Sequence, residues 1–193
     1  MLSYKESLKI LKETDALVEG HFILSSGLHS DKYIQCAKLL SKPQKAKDLC
    51  LSLAEKIKEN YKNFNLILSP AIGGIVIGYE IGRLLNAETI FAERENNTFQ
   101  LRRGFEIVKK HKILIVEDVI TTGKSSLECS EIAEKSGAQI VGFACLIDRS
   151  NGKSKINKKI VSQVQIEIPT FTKENIPENL KKLKAIKPGS RKL

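Results

Sequence analysis

Residues 112–126 read KILIVEDVITTGKSS. The aliphatic run Ile113 to Val116 has the composition of a strand buried on both faces, and it delivers two carboxylates, Glu117 and Asp118, to the edge of a sheet. Thr121 to Ser125 then turn the chain into a helix, expected to start at about Ser126. The turn suits an anion. Amides at a helix N-terminus, the hydroxyls of Thr121, Thr122 and Ser125 and the charge of Lys124 converge, while Gly123 lets the backbone approach closely. A phosphate monoester fits such a cradle. Two acids just before it would repel that phosphate unless a hydroxylated or cationic group lies between, and a ribose diol with a nearby divalent metal supplies both. Glu117, Asp118, Val119, Ile120 and the turn from Thr121 to Ser125 therefore form a candidate sugar-phosphate grip. Gly123-Lys124-Ser125 ends like a nucleotide-binding P-loop, but that pattern needs a glycine where this chain has Asp118, which argues against a nucleoside triphosphatase.

Outward from this stretch, NLILS (65–69), ETIFA (88–92) and QIVGFACLID (139–148) are further β-rich runs. Helical segments GIVIGYEIGRLL (74–85) and GKSSLECSEIAEK (123–135) lie between them. Alternating β and α units predict an α/β fold, a parallel sheet flanked by helices. Ahead of it, Ser41 and Pro43 mark a helix start, and Ala46, Leu49, Cys50, Leu53, Ile57 and Tyr61 form its apolar stripe. Leu8, Leu11 and Leu17 suggest a first short helix. Phe22 to Leu24 and Tyr33 to Ile34 read as two short strands around a Ser/Gly/His turn, and His21 and His29 as surface turn residues. The expected organisation is one domain: a small N-terminal hood over approximately residues 1–40, an α/β core over 41–150 and a basic segment over 151–193.

Ligands of such sheets bind at the carboxyl ends of the strands. Three loops fall there: SPAIGG (69–74), AERENNTFQLRRGFE (92–106) and EDVITTGKSS (117–126). The first has no acidic side chain and two adjacent glycines, so the amides of Ala71, Ile72, Gly73 and Gly74 can face a diphosphate, although a tight strand-to-helix turn would account for the same glycines. The second, polar and long from Glu93 to Gly104, suits a lid that excludes water, with Arg94, Arg102 and Arg103 as its cations. Arg149, just past an apolar strand, offers a planar fork for carboxylate or carbonyl oxygens; the alternative is an exposed pair with Asp148.

Composition sets the outer bounds. With 193 residues, 41% hydrophobic and 28% charged, 12 Gly and 5 Pro, the chain has the makeup of a globule rather than a collagenous or disordered polymer. The longest charge-free stretch, Asn63 to Tyr79, is too polar for a bilayer span. MLSYKESLKILKE lacks the uninterrupted apolar run of a secretory signal, so a cytoplasmic location is expected. Cys36, Cys50, Cys129 and Cys145 are scattered and read as small buried hydrophobes. Most of the net charge of +10 lies in residues 151–193, with 11 basic and 3 acidic side chains. KSKINKK and LKKLKAIKPGSRKL interleave no aromatics for stacking on bases, so this segment reads as a solvated surface and nucleic acid is not an expected partner.

VEDVITTGKS is similar to the phosphoribosyl pyrophosphate (PRPP) motif of the type I phosphoribosyltransferases. Together with FILSSGLHSDKY, SPAIGGIVIGYEIGRLL, FAERENNTFQLRRGFEI and LIDRS, it resembles the orotate phosphoribosyltransferase family over roughly residues 20–150. The resemblance implies transfer of ribose 5-phosphate from PRPP to N1 of orotate, giving orotidine 5′-monophosphate and pyrophosphate, with Mg²⁺ as cofactor. It puts the 5-phosphate on Thr121 to Ser125, the ribose hydroxyls near Glu117 and Asp118, pyrophosphate on Ala71 to Gly74, and orotate against Thr121 and Arg149. It also implies catalytic roles for Asp118 and for Arg94, Arg102 or Arg103, and a homodimer whose lid acts across the interface. The chain departs from many members at Ser25, where they carry Lys, at Ile72-Gly73, where they carry Tyr-Lys, and in ENNTFQLRRG, where their loop is rich in Lys and His. The alternatives are a phosphoribosyltransferase for another base and a non-catalytic PRPP-responsive regulator that binds nucleic acid.

Overall fold

The computed structural model describes residues 1–24 and 26–188; Ser25 and the last five residues of the basic segment lie outside it. Ser3 and Glu6 form a reciprocal capping box that opens helix α1, Tyr4–Glu13. Thr14 bonds back to the Ile10 carbonyl at 2.8 Å, and Asp15 at φ 57° turns the chain out of the helix. Leu17, expected on this helix, is instead the first residue of β1, Leu17–Ile23. Strand β1 pairs antiparallel with β2, His29–Ile34. His21 and His29 are not surface turn residues: both are buried, and His21 Nε2 lies 2.7 Å from His29 Nδ1. The shared hydrogen bond satisfies one ring nitrogen of each imidazole, and the other nitrogen of His21 lies 3.2 Å from the Leu183 carbonyl.

Helix α2, Cys36–Leu40, ends at Ser41, so Ser41 closes one helix rather than opening the next. Pro43 is the first residue of α3, Pro43–Asn60, where its fixed φ and missing N–H are tolerated. Tyr61 lies just past α3, its hydroxyl donating to the Lys159 carbonyl. The core sheet contains β3 (Leu66–Pro70), β4 (Glu88–Glu95), β5 (Thr98–Leu101), β6 (Lys112–Ile120), β7 (Gln139–Asp148) and β8 (Ile160–Gln165). Their order is β5-β4-β3-β6-β7-β8, parallel throughout except for the β4–β5 edge pair. Helix α4, Gly73–Leu85, links β3 to β4, and α5, Lys124–Lys135, links β6 to β7. Alternate residues of the strands feed two cores: Ile67, Leu114 and Val116 meet Ile77 and Ile81 of α4 and Leu53 of α3, whereas Leu68, Ile113 and Ile115 join Cys129 and Ala133 of α5. The predicted parallel sheet with helices on both faces is thus present. All four cysteines are buried and free.

Two larger expectations also fail. Residues read as a loop between Glu93 and Gly104 form the β4–β5 hairpin, closed by Asn96 and Asn97 at φ 48° and 64°. Asparagine tolerates this left-handed conformation, and two such residues match a two-residue hairpin turn. The core also extends past residue 150, because β8 pairs with β7. Strand β9, Thr170–Phe171, adds to β2 in the hood, and Ile186 exchanges main-chain bonds with the hood through His21 O and Ile23 N, both at 2.8 Å. Helix α6, Glu178–Lys181, lies in the same segment. Lysines dominate its composition, but Val161, Val164, Ile166 and Leu180 are buried and fix its path. Among the described residues no helix is long and apolar enough to cross a membrane.

Candidate active site

Strand β3 leads through α4 to β4 on one side and β6 leads through α5 to β7 on the other, so β3 and β6 flank the point where the strand order reverses. Both helices begin at the carboxyl ends of these strands, where open α/β sheets bind ligands. Helix α5 starts at Lys124, two residues before the expected Ser126, because Gly123 at φ 79° makes the turn abruptly. A Cβ on Gly123 would lie 2.7 Å from Ser154 Oγ and 2.8 Å from Ile156 Cγ1, so the chain has no room for a side chain there. The Lys155 amide donates to the Thr122 carbonyl at 3.0 Å and holds the turn from behind. Thr121, Thr122, Gly123, Lys124 and Ser125, together with Glu117 and Val119, line a cavity of about 50 Å³. The Lys124 amide donates to Thr122 Oγ1 at 3.4 Å, whereas the amides of Ser125 and Ser126 that follow have no intrahelical acceptor and are available to an anion. The Lys124 side chain is 77% exposed and runs along the helix toward Glu128, 3.8 Å away.

Glu117 and Asp118 are adjacent in sequence but lie on opposite faces of β6. Glu117 faces α5 and accepts a hydrogen bond from Ser126 Oγ. Burial pushes its carboxyl up to about 7, Ser126 works against that shift, and the Asp118 charge adds to it. Asp118 faces α4 and accepts from the Val119 amide at 2.9 Å; burial raises its carboxyl as well, against the pull of that amide. Here a Cβ on Gly73 would lie 2.8 Å from Asp118 Oδ1, so this glycine makes room for the acid. With Gln35, Leu40, Ile72 and Val76, Asp118 lines a second cavity of about 300 Å³. The acids therefore serve two walls of the cleft rather than one shared grip. At its edge Ala71 donates its amide to the Ala92 carbonyl at 2.8 Å, which withdraws it from the diphosphate set; the first-turn amides of α4, at Gly73 and Gly74, remain.

Arg149 is half-buried, and its amide donates to the Ile120 carbonyl at 2.8 Å. Its Nε is buried without a partner among the described residues, and no ion pair to Asp148 forms: the Asp148 carboxylate accepts from the Ser150 amide at 2.8 Å instead. Burial lowers the Arg149 guanidinium below its ordinary range, while Tyr33 of the hood opposes that shift. An unpaired buried guanidinium donor between hood and core is a ready partner for an anionic ligand.

The three hairpin arginines all have protein partners. Arg94 bonds Glu128 of α5 and the Asn97 carbonyl, and lies 4.1 Å over the Phe99 ring. Arg102 reaches Glu95 at 3.3 Å, and Arg103 grips Glu93 with two bonds of 2.7 and 3.1 Å. Each is tied to a carboxylate, and Arg94 shares Glu128 with Lys124 of the turn. Sequence reasoning missed Ser126 and Tyr33. A serine two residues into a helix carries no signal of its own, and the Tyr33–Arg149 proximity arises only when hood and core meet.

The phosphoribosyl transferase domain model matches residues 37–182. An orotate phosphoribosyltransferase of Parvibaculum lavamentivorans is 48% identical, covering 95% of this chain and 96% of that protein. One of Maricaulis maris is 43% identical, covering 97% of each. The crystal structure of orotate phosphoribosyltransferase from Aeropyrum pernix superposes with a TM-score of 0.71 at 23% identity, over 82% of this chain and 92% of that one.

Proposed function

Because this chain belongs to the phosphoribosyl transferase family, and within it to the orotate phosphoribosyltransferases, we propose that the cleft between β3 and β6 binds PRPP and transfers its ribose 5-phosphate to N1 of orotate. The observation that carries this reading is the Gly123 turn, a left-handed, side-chain-free corner whose helix amides open onto a small cavity. The 5-phosphate sits on the turn from Thr121 to Ser125, and the pyrophosphate lies on the Gly73–Gly74 end of α4. Orotate, an anion, pairs its carboxylate with Arg149 beside Thr121. Displacement at C1 passes through a transition state with oxocarbenium character, and the carboxylates on either side of β6 favour that cationic sugar. Asp118, beside the diphosphate end, is our candidate catalytic acid group. Arg94, Arg102 or Arg103 meets the leaving pyrophosphate once released from its carboxylate.

Mg²⁺ is the cofactor of this reading. Among the described residues no group of three or more His, Cys, Asp and Glu is placed to hold a metal, so the chain offers no cage of its own. The ion would be carried on PRPP oxygens, where it neutralises diphosphate charge. A homodimer is supported by the face of α4 and its N-cap, where Ile72, Val76 and Tyr79 are 86, 52 and 66% exposed at helical spacing. Sedimentation at assay concentration tests that assembly. The reaction draws on intracellular metabolites, which supports a cytoplasmic location. The deciding experiment follows orotate absorbance: it should fall only when PRPP and a divalent metal are both present. Consumption of hypoxanthine, adenine or uracil with orotate untouched would overturn the assignment.

A further inference from the structure

Ser126 is wholly buried in the first turn of α5, and its hydroxyl donates to Glu117 Oε2. It takes part in none of the contacts assigned above to phosphate, pyrophosphate or orotate. A buried hydroxyl is tolerated where it is bonded, and a bond to a carboxylate is stronger than one between neutral groups. Glutamate also has one more rotatable bond than aspartate, so fixing its carboxylate costs more freedom. Strand alternation points Glu117 toward α5, and the early start of that helix brings Ser126 to meet it. With Oε2 held, Oε1 is left as the acceptor at the cavity that Glu117 lines with Thr121, Gly123 and Ser125.

We propose that Ser126 is a positioning residue for the sugar: by holding one oxygen of Glu117, it presents the other to a ribose hydroxyl of the phosphoribosyl substrate. This rests on the reading of the cleft as a PRPP site. The hydroxyl does not touch substrate; it acts through Glu117, while the helix amides beside it hold the phosphate independently. Sugar binding and phosphate binding should therefore separate when Ser126 is changed.

The test compares ribose 5-phosphate with inorganic phosphate by calorimetry on the full chain. Ser126→Ala should weaken ribose 5-phosphate by roughly three- to tenfold, the cost of ordering a freed Glu117 side chain on binding, and phosphate by less than about twofold. The PRPP KM should rise by a similar factor, with kcat and the orotate KM little changed. Alanine is a good helix former, and retained phosphate binding reports an intact α5. Glu117→Asp, which withdraws the carboxylate from Ser126 without altering the helix, should reproduce the loss. Adding Ser126→Ala to Glu117→Ala should cost nothing further, because a residue that acts only through another is non-additive with it. The proposal falls if ribose 5-phosphate affinity is unchanged in Ser126→Ala, if phosphate affinity falls equally, or if the two losses add. A wild-type chain that binds neither ribose 5-phosphate nor PRPP would instead overturn the cleft reading itself, and this proposal with it.

Discussion

The turn after β6 and the hairpin after β4 both stand at the carboxyl edge of the sheet, and both carry groups suited to phosphate oxygens. They hold those groups in opposite ways. The turn offers backbone amides and short hydroxyls, backed by Lys155 and packed against Ser154 and Ile156, so its donors are in place before any ligand arrives. The hairpin offers three guanidinium groups, each already bound to Glu128, Glu95 or Glu93. A preorganised site gains its full interaction on binding, whereas a paired cation must first exchange one partner for another. The cradle should therefore decide whether PRPP binds, and the hairpin should tune how fast it reacts.

The largest expected effect is at the turn. Gly123→Val adds a β-branched side chain at φ 79°, where Ser154 Oγ and Ile156 Cγ1 already occupy its space at 2.7 and 2.8 Å. PRPP affinity measured by calorimetry should fall by more than about 100-fold. A folded variant with unchanged affinity would mean that the phosphate sits elsewhere. Arg149→Ala comes next and probes the wall that joins cradle to hood. The alanine keeps the amide bond to Ile120, so the turn is spared, while the charge-assisted contact proposed for orotate would be lost. The orotate KM should rise about 30-fold and the PRPP KM less than about threefold. Equal effects on both would place Arg149 outside the orotate pocket.

The two regions also differ in how far they could be read from sequence. The cradle was legible because each of its requirements is local: an aliphatic run, a glycine where a left-handed corner is needed, hydroxyls beside it, then helix formers. The split between Glu117 and Asp118 follows from strand alternation once β6 is known to run on to Ile120, but a strand taken to end before the acids hides it. The hairpin was misread as a loop because its arginines and glutamates mask the alternation of Phe99 and Leu101, leaving Asn96-Asn97 as the one local clue. The path of residues 151–188 was hidden for another reason. Val161, Val164 and Ile166 find burial where β8 packs on α1, α3 and β7, contacts that no local pattern encodes.

Charge burial distinguishes the regions as well. Glu117 is held up to about 7 in the folded chain, against an ordinary value of 4.5. Between those values the folded state keeps a proton that the unfolded state has released, so this group's contribution to stability falls as pH rises from about 4.5 to about 7 and then levels. Glu117→Gln removes the titration. Its melting temperature relative to wild type should be near parity at pH 4.5, the ordinary glutamate value, and higher by roughly 7 °C or more at pH 8. Parallel curves would show that Glu117 is not buried in the way its environment implies.

Glu93, by contrast, is held below the usual carboxylate range, first by the hydrogen bond from Arg103, with burial opposing and the charges of Arg103 and Arg102 helping. Arg103 is 62% exposed at its side chain, so the pair is wet and weak despite its two bonds. If Arg103 must leave Glu93 to meet the departing pyrophosphate, Glu93→Gln removes the competitor and keeps the shape of the side chain. The expected result is small: kcat/KM for PRPP should rise by about two- to threefold at low ionic strength, with melting temperature nearly unchanged. Added salt screens exposed pairs over about 8–10 Å, so the advantage should shrink as ionic strength rises and both proteins release Arg103 freely. A lower kcat/KM in Glu93→Gln would mean that the Arg103–Glu93 pair is the working form of the hairpin, with Arg103 holding β4 and β5 in register rather than reaching for the leaving group. A change that salt leaves untouched would assign the effect to Glu93 itself.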